Sequence, residues 1–134
     1  LAFAMLDIDH FKSVNDTYGH PTGDRVLKNL AQVLTRRLRK TDVVGRYGGE
    51  EFAIILANTT GERARAIIDD IRARFSKVRH RHEDNLFTVT FSGGVAEFPR
   101  FATDELLSKT ADEALYEAKN GGRDKIILAG PKGT

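Results

Sequence analysis

The feature that most constrains the fold is a pair of glycines between two β-prone segments, followed at once by two carboxylates. Residues 46–52 read Arg-Tyr-Gly-Gly-Glu-Glu-Phe, with a valine pair just before them and an apolar run at 53–57. Adjacent glycines between strands favour a hairpin turn, because glycine adopts a positive φ without a steric clash. Consecutive strand residues point to opposite faces, so Glu50 and Glu51 need not share a role. An ordinary solvated turn is the alternative interpretation of these residues.

A second acidic cluster ends the first apolar run of the chain. Residues 1–6 are apolar and lead into Asp7, Ile8 and Asp9, the pattern of a buried strand that delivers carboxylates at its C-terminal end. If a helix follows and crosses right-handedly to a parallel strand, the returning arm of the hairpin can fill the gap between the two parallel strands. We therefore predict that Asp7 and Glu50 meet at one edge of a sheet. Clustered carboxylates keep their charge only when a cation neutralises them.

Apolar residues at helical spacing predict three helices. The first is capped by Thr22 or Asp24, and the second opens with a capping box that pairs Thr59 with Glu62. The third extends from about residue 103 or 104 to 120, where two glycines end it.

Strand patterns occupy the segments between these helices. The predicted strands are the opening run, 42–47, 51–57, 86–98 and 125–129. Gly93 and Gly94 in the long strand indicate a bulge or close packing. The polar loop at 79–85 is expected to lie on the surface, with His80 and His82 solvated. This order of elements predicts an α+β sandwich with a mostly antiparallel sheet.

Composition excludes several classes of protein. The chain has 134 residues, 40% of them hydrophobic, which suits one domain over 1–129 with a disordered tail at 130–134. It has no cysteine, which fits a reducing compartment such as the cytoplasm, and no apolar run reaches the length of a membrane span. A net charge of +2 is too balanced for general nucleic-acid binding. The basic patch at 36–40 lacks the interleaved aromatic residues of single-strand binders.

Three groups of residues carry a resemblance to a known family. They are Asp7-Ile8-Asp9-His10-Phe11-Lys12 with Asn15-Asp16, Gly19-His20 and Gly23-Asp24; the Gly48-Gly49-Glu50-Glu51-Phe52 turn; and Ala111-Asp112, Ala114-Leu115-Tyr116, Ala118-Lys119 and Gly122-Arg123. Together they closely resemble the GGDEF family of diguanylate cyclases. The resemblance implies a ferredoxin-like, palm-type core shared with nucleotidyl cyclases and polymerases. It also implies the condensation of two GTP into cyclic di-GMP, with release of two pyrophosphates.

The resemblance further assigns roles to residues. It implies that Asp7, Glu50 and the carbonyl of Ile8 hold Mg²⁺, with Mn²⁺ as an alternative, and that Glu51 is a supporting catalytic carboxylate. The implied substrate-binding residues are Phe11 (through its backbone amide and those of nearby loop residues), Lys12, Lys119 and Arg123 for the triphosphate, and Asn15, Asp24 and Leu27 for the guanine base. Taken singly, each residue also fits a turn, a cap or a helix end. Their joint spacing favours the functional interpretation.

A second predicted site concerns regulation by the product. Arg39 stands nine positions before Gly48, with Asp42 three positions after the arginine, which matches the family's Arg-x-x-Asp inhibitory site for cyclic di-GMP. A guanidinium at the end of the first helix can grip a phosphate or the Hoogsteen edge of guanine, and Asp42 can accept from the N1 and N2 donors of guanine. Arg72 or Arg74 from the second helix is expected to complete the site. A solvated helix end is the alternative.

Two departures from the family pattern remain. Asp124 stands where an asparagine commonly follows Gly-Arg, which bears on the positioning of Arg123. The chain also starts at the first strand, without the preceding helix and Asp-x-Leu-Thr-x-Leu-x-Asn-Arg motif, so a domain truncated at its front, with an upstream sensor domain in the parent protein, is expected. The family's catalysis implies a homodimer with one GTP on each domain. The alternative function is a catalytically silent GTP-binding or cyclic di-GMP receptor domain.

Overall fold

Eleven elements make up the described part of the protein, which in this computed structural model comprises residues 1–98 and 103–130. The strands are β1 (Ala2–Ile8), β2 (Val43–Arg46), β3 (Glu51–Leu56), β4 (His80–His82), β5 (Asn85–Phe87), β6 (Phe91–Glu97) and β7 (Ile126–Leu128). The helices are α1 (Phe11–Tyr18), α2 (His20–Arg37), α3 (Gly61–Phe75) and α4 (Asp104–Asn120). None of these helices has the length and hydropathy needed to cross a membrane. Pro131 to Thr134, most of the predicted tail, lie outside the described residues.

The main sheet has five strands in the order β2-β3-β1-β6-β7. Every neighbouring pair is antiparallel except β6 with β7. As the topology argument predicted, β3 fills the gap between the parallel strands β1 and β2. The mostly antiparallel α+β architecture is therefore confirmed.

The two faces of the sheet bury different helices, because alternate strand residues point to opposite sides. On one face, Leu6 and Ile54 belong to the large core together with Leu30 of α2 and Ile68 of α3. On the other face, Met5 and Ala96 pack in a smaller core with Leu107, Ala111 and Leu115 of α4. The sheet is thus a layer between α2 and α3 on one side and α4 on the other.

Gly93 and Gly94 are sites of close packing. The pairing of β6 with β1 runs without interruption from Phe91 to Glu97, so the alternative of a bulge is excluded. A Cβ on Gly94 would lie 2.1 Å from the carbonyl oxygen of Ala111 and 2.3 Å from the amide nitrogen of Leu115. Backbone therefore packs directly on backbone where α4 crosses β6.

The helix after β1 differs from the prediction. The segment expected to be a loop forms α1, and α2 begins at His20, ahead of both predicted caps. Gly19, at φ +91°, separates the two helices, and Pro21 fits the first turn of α2, where its missing N–H costs little. Thr22 is not a cap, because it is buried inside α2 and its hydroxyl lies 3.0 Å from Nδ1 of His82.

The predicted capping box of α3 is wrong by one residue. Thr60 is the N-cap, and its hydroxyl accepts from the backbone N–H of Arg63 at 3.2 Å. Thr59 is buried and donates to the carbonyl of Ala57 instead. Asn58, at φ +47°, lies just before these residues, and the cap falls one position later than the sequence pattern indicated. At α4, by contrast, the predicted start is confirmed, with Thr103 as its cap.

The region expected to hold a solvated loop and the start of a long strand is folded differently. β4 and β5 form a separate two-stranded hairpin, and β6 starts only after a break. His80 is 2% exposed, and its Nδ1 lies 3.0 Å from the side-chain nitrogen of Asn29 on α2. Burial lowers the pKa of His80. Tyr18 of α1 stacks on Phe87 of β5, with ring centroids 4.1 Å apart. Aromatic packing therefore holds the β4–β5 hairpin against α1.

Candidate active site

The C-terminal end of β1 meets the turn between β2 and β3. Asp7 lies directly opposite Glu51 in the antiparallel pairing, and the N–H of Ile8 donates to the carbonyl of Glu50 at 3.2 Å. Directly opposed residues of two strands project to the same face. The structure therefore brings Asp7 and both glutamates to one edge of the sheet, with Glu51 as the cross-strand neighbour.

Hydrogen bonds rather than glycine conformation shape this turn. The expected positive φ is wrong for Gly48 and Gly49, since the described glycines with positive φ are Gly19 and Gly122. The guanidinium of Arg46 donates to the carbonyl of Gly48 at 3.2 Å and to that of Gly49 at 2.7 Å. The chain is thus held in its bend by an arginine on β2.

Negative charge is concentrated at this edge. Asp7 is 7% exposed, and its carboxylate forms an ion pair with Lys119 near the end of α4. Burial raises the pKa of Glu51, and the charges of Asp7 and Asp112 raise it further, while Lys119 acts in the opposite direction. Lys119 therefore compensates the charge of Glu51 only in part.

This donor set suits a hard divalent cation. Within residues 1–98 and 103–130, no group of three or more His, Cys, Asp or Glu side chains is arranged to hold a metal ion. Mg²⁺, however, is commonly held by one or two carboxylates together with waters and substrate phosphates. A buried Asp7 beside acidic residues that share one lysine is a suitable environment for such an ion.

A groove beside the hairpin contains two of the predicted base-binding residues. It has a volume of about 520 Å³ and lies between α2 and the β2–β3 hairpin, within the size range of ligand pockets. Asp24 and Leu27 line it from α2, and Arg46 and Phe52 line it from the strands. The groove therefore offers apolar walls and a carboxylate near the acidic edge.

Asn15, the other predicted base-binding residue, lies against the start of α2. A Cβ on Gly23 would lie 1.9 Å from the side-chain oxygen of Asn15, so only glycine leaves room for this carboxamide. Among the described residues, that oxygen has no hydrogen-bond partner although it is buried. A buried acceptor without a partner is uncommon in proteins, and it makes Asn15 a good candidate for a group that pairs with a ligand.

Three elements supply the predicted triphosphate contacts. Phe11 and Lys12 open α1, whose N-cap His10 makes no side-chain capping bond, so backbone N–H groups remain for an anion. Lys119 already faces the acidic edge through its ion pair with Asp7. Arg123 is exposed in the loop after α4 and has φ +64°. These residues approach the same end of the sheet from different elements.

Asp9 is a site-forming residue to which neither the sequence patterns nor the family resemblance assigned a role. It is buried, and its carboxylate accepts from the hydroxyls of Thr90 and Ser92, both at 2.7 Å. It also accepts from the backbone N–H of Asp124 at 3.1 Å. Asp9 therefore fastens the loop that carries Arg123 to the ends of β1 and β6. Its position two residues after Asp7 was the available signal.

The Arg39 loop, residues 38–42, is internally bonded. α2 ends at Arg37, so Arg39 lies beyond the helix rather than at its end. Its guanidinium donates to the hydroxyl of Thr59 at 2.9 Å. The side chain of Asp42 is 2% exposed and accepts from the backbone N–H groups of Arg39 at 2.9 Å and Ala57 at 3.2 Å. Burial alone would raise the pKa of Asp42, but hydrogen bonds from Arg39 and Ala57 outweigh it and hold the pKa below its ordinary value.

Neither of the arginines expected to complete this loop lies beside it. Thr59 marks the end of α3 nearest to Arg39, and Arg72 stands near the opposite end of that helix, roughly 15 to 20 Å along its axis. Arg72 pairs with Asp69 and Asp124, and Arg74 pairs with Asp70. Both arginines therefore serve other contacts.

Comparison with known proteins connects this geometry to a family. Residues 1–125 match the family described as "Diguanylate cyclase, GGDEF domain". Diguanylate cyclase DgcP of Pseudomonas aeruginosa is 40% identical over 129 residues, which cover 96% of this chain and 19% of that protein. The chain thus spans about a fifth of the length of that relative.

Solved structures agree with the fold. The GGDEF domain of DgcB from Caulobacter crescentus, solved in complex with c-di-GMP, is 37% identical with a TM-score of 0.89, over 96% of this chain and 77% of that one. The active GGEEF domain of a diguanylate cyclase from Vibrio cholerae is 33% identical, also with a TM-score of 0.89, over 96% of this chain and 82% of that one.

Proposed function

This chain belongs to the GGDEF family of diguanylate cyclases, and we propose that it binds GTP and condenses two molecules of it into cyclic di-GMP. The observation that carries the proposal is the pairing of β1 with β3. It sets Asp7 opposite Glu51 at the Gly-Gly turn. Lys119 forms an ion pair with Asp7, and the groove lined by Asp24 and Leu27 lies beside the same hairpin.

In the proposed complex, the groove holds the guanine base and the ends of α1 and α4 hold the triphosphate. Asn15 and Asp24 pair with the polar edge of guanine, since an unpaired carboxamide oxygen and an exposed carboxylate suit its N1 and N2 donors. Leu27 packs beside the base. The residues proposed to contact the phosphates are Phe11 through its backbone amide, Lys12, Lys119 and Arg123.

The proposed metal ligands are Asp7, Glu50 and the carbonyl of Ile8, with Glu51 as a supporting carboxylate. When bound there, Mg²⁺ or Mn²⁺ would supply positive charge to the phosphate oxygens and polarise the α-phosphate. The raised pKa of Glu51, which lies opposite Asp7, supports this assignment, because a nearby cation would favour the ionised form of that carboxylate.

Two domains are needed for the reaction we propose. One domain holds each GTP, and the 3′-hydroxyl oxygen of one nucleotide attacks the α-phosphorus of the other. A new P–O3′ bond forms, the α–β phosphoanhydride bond breaks, and pyrophosphate and a proton leave. The reciprocal reaction closes the ring. The protein therefore acts as a homodimer, and an upstream sensor domain in the parent protein would control how the two domains meet.

Base recognition provides the experiment that tests this proposal. We expect the double variant Asn15→Ala/Asp24→Ala to lose most of its preference for GTP over ATP, by roughly a hundredfold or more, because polar groups that match guanine are left unpaired by adenine. Binding of each nucleotide with Mg²⁺ would be measured by calorimetry, and turnover by chromatography of the products.

The outcomes separate the alternatives. Unchanged GTP selectivity in the double variant would refute the base-reading assignment. GTP binding by the wild type without any cyclic di-GMP formed would instead favour a catalytically silent GTP-binding domain. Asp16→Asn is the matched control, since Asp16 is an exposed carboxylate on α1, one residue after Asn15.

We also propose that the Arg39 loop binds the product and inhibits the enzyme. The side chain of Arg39 is 53% exposed, so part of it can contact a phosphate or the Hoogsteen edge of guanine. Asp42 is buried and satisfied by protein donors, so its first role in this proposal is to orient Arg39. Contact of Asp42 with the N1 and N2 donors of guanine would require those bonds to open.

Product binding can be measured directly. We expect Arg39→Ala to weaken cyclic di-GMP binding at least about tenfold, because a charge-assisted contact is lost, and to leave the initial rate of turnover nearly unchanged. Calorimetric titration of cyclic di-GMP gives the affinity. Arg37→Ala is the control, since Arg37 pairs with Asp70 and is two residues away. Equal affinities of wild type and Arg39→Ala would show that the loop has only a structural role.

A further inference from the structure

The loop that carries Arg123 has an unusual backbone. Arg123 and Asp124 have φ values of +64° and +49°, so two consecutive non-glycine residues occupy the left-handed region. Such residues cost free energy and persist only where the surrounding structure holds them. The contacts around this pair therefore indicate what fixes the direction of the Arg123 side chain.

Helix α4 and the sheet hold this loop through its backbone. The N–H of Arg123 donates to the carbonyl of Ala118 at 2.9 Å. The N–H of Asp124 is shared between the carboxylate of Asp9 and the hydroxyl of Ser92, both at 3.1 Å. These bonds fix the peptide groups, but they leave the side chain of Asp124 free to take a separate partner.

That partner comes from α3. The guanidinium of Arg72 donates to the carboxylate of Asp124 at 2.7 Å and, through Nε, to Asp69 at 2.7 Å. The side chain of Arg72 is 20% exposed, whereas the side chains of Asp69 and Asp124 are 43% and 44% exposed, so the arginine is the least exposed member of this group. A planar guanidinium held by two carboxylates has little freedom to move.

We propose that Arg72 is a positioning residue for substrate binding. Acting through Asp124, it holds the left-handed pair in place and so fixes the direction in which Arg123 presents its guanidinium to the triphosphate. This inference rests on the proposed function, since it takes GTP as the ligand of Arg123. The aspartate at position 124 contributes to this positioning, because its charge gives Arg72 a stronger hydrogen-bond partner than a neutral amide would.

The same helix offers a contrasting arginine. Arg74 also forms an ion pair, with Asp70, which in turn binds Arg37 of α2. That network joins two helices and includes no residue of the loop after α4. Arg74→Ala therefore removes an arginine of the same type from the same helix while leaving the Asp124 contact intact.

A double-mutant cycle on GTP affinity tests the proposal, with binding measured by calorimetry in Mg²⁺. We expect Arg72→Ala to weaken GTP binding about three- to tenfold, and Arg74→Ala to leave it unchanged. In an Arg123→Ala background, Arg72→Ala should weaken binding less than about twofold further. Arg72→Gln, which is shorter than arginine but keeps a polar side chain without the charge, serves if the alanine variant is poorly folded.

Different results would overturn the positioning role of Arg72 and the phosphate role of Arg123. If Arg72→Ala weakens GTP binding equally in both backgrounds, or leaves it unchanged in the wild type, Arg72 does not act through Arg123 and this proposal is overturned. If Arg123→Ala itself leaves GTP affinity unchanged, the phosphate role of Arg123 is overturned as well. Thermal unfolding of each variant separates these outcomes from loss of the fold.

Discussion

The acidic edge and the Arg39 loop each contain a buried aspartate beside a basic side chain, yet their electrostatics are opposite. Asp42 accepts two backbone N–H bonds and contacts Arg39, and its pKa is lowered. At the acidic edge, Asp7 has Lys119 as its ion-pair partner and Glu51 opposite it, and the pKa of Glu51 is raised. The protein itself satisfies the carboxylate of Asp42. At the acidic edge, by contrast, the carboxylate of Glu51 has too little positive charge around it.

This difference separates a structural carboxylate from one suited to a ligand. Removing a carboxylate that the protein satisfies leaves several donors without a partner, so the cost appears in stability. Removing one from an undercompensated cluster relieves repulsion within the fold, so the cost appears in function. The two regions should therefore respond to mutation in opposite ways.

The largest effect is expected at the acidic edge. Asp7→Asn should reduce GTP turnover at least about a thousandfold, or ~4 kcal/mol of barrier, because it removes a proposed metal ligand. The fold should remain, as the amide is nearly the same size. Rates would be measured with Mg²⁺, and unfolding by urea. A variant that forms product at the wild-type rate would contradict the metal assignment.

A smaller effect, on stability, is expected in the Arg39 loop. Asp42→Ala should destabilise the fold by about 2 to 3 kcal/mol at pH 7, since the N–H groups of Arg39 and Ala57 lose their acceptor. Urea unfolding gives the difference. Because the folded pKa of Asp42 lies below its unfolded value, its contribution is complete above the unfolded pKa of about 3.9.

The pH dependence is the control for this prediction. The stabilisation by ionised Asp42 should disappear as the pH falls through the lowered folded pKa, and the gap between wild type and Asp42→Ala should narrow there. A gap that stays constant down to acid pH would show that packing, rather than the charge of Asp42, stabilises the loop.

The smallest effect is expected from Glu51. With divalent ions chelated, Glu51→Gln should stabilise the fold at pH 7 by about 0.2 to 1 kcal/mol, because two like charges no longer face each other across the strands. The folded pKa of Glu51 is raised, so the wild type regains this stability as the pH falls through that pKa. Thermal unfolding between pH 4 and pH 7 would show the gain, and a loss of stability at pH 7 would contradict the comparison.

Features that depend on the spacing of apolar residues and on local chemistry were predictable from the sequence. The apolar spacing located α4, and the run into Asp7 located β1. The meeting of β1 with the Gly-Gly turn followed from handedness rules, and the pairing of Asp7 with Glu51 agrees with it. The family resemblance then supplied the residue roles, which local patterns alone left open.

Features set by tertiary contacts were not predictable. The polarity of the segment at His80 indicated solvent, but its ring is buried against α2. Asp9 acquires its importance from Thr90, Ser92 and Asp124, which lie more than 80 positions away along the chain. The cap lies at Thr60 rather than Thr59, after a left-handed Asn58 that no pattern revealed.

The close approach at Gly94 has a mechanical consequence for the active site. Because main chain touches main chain there, α4 rests on the sheet at a fixed point, and Lys119 lies only about 6 to 12 Å farther along the helix axis. A single methyl group at residue 94 would push α4 away from the sheet and move the ammonium group of Lys119 away from Asp7. The distance between Lys119 and Asp7 therefore depends on the absence of a Cβ atom at residue 94.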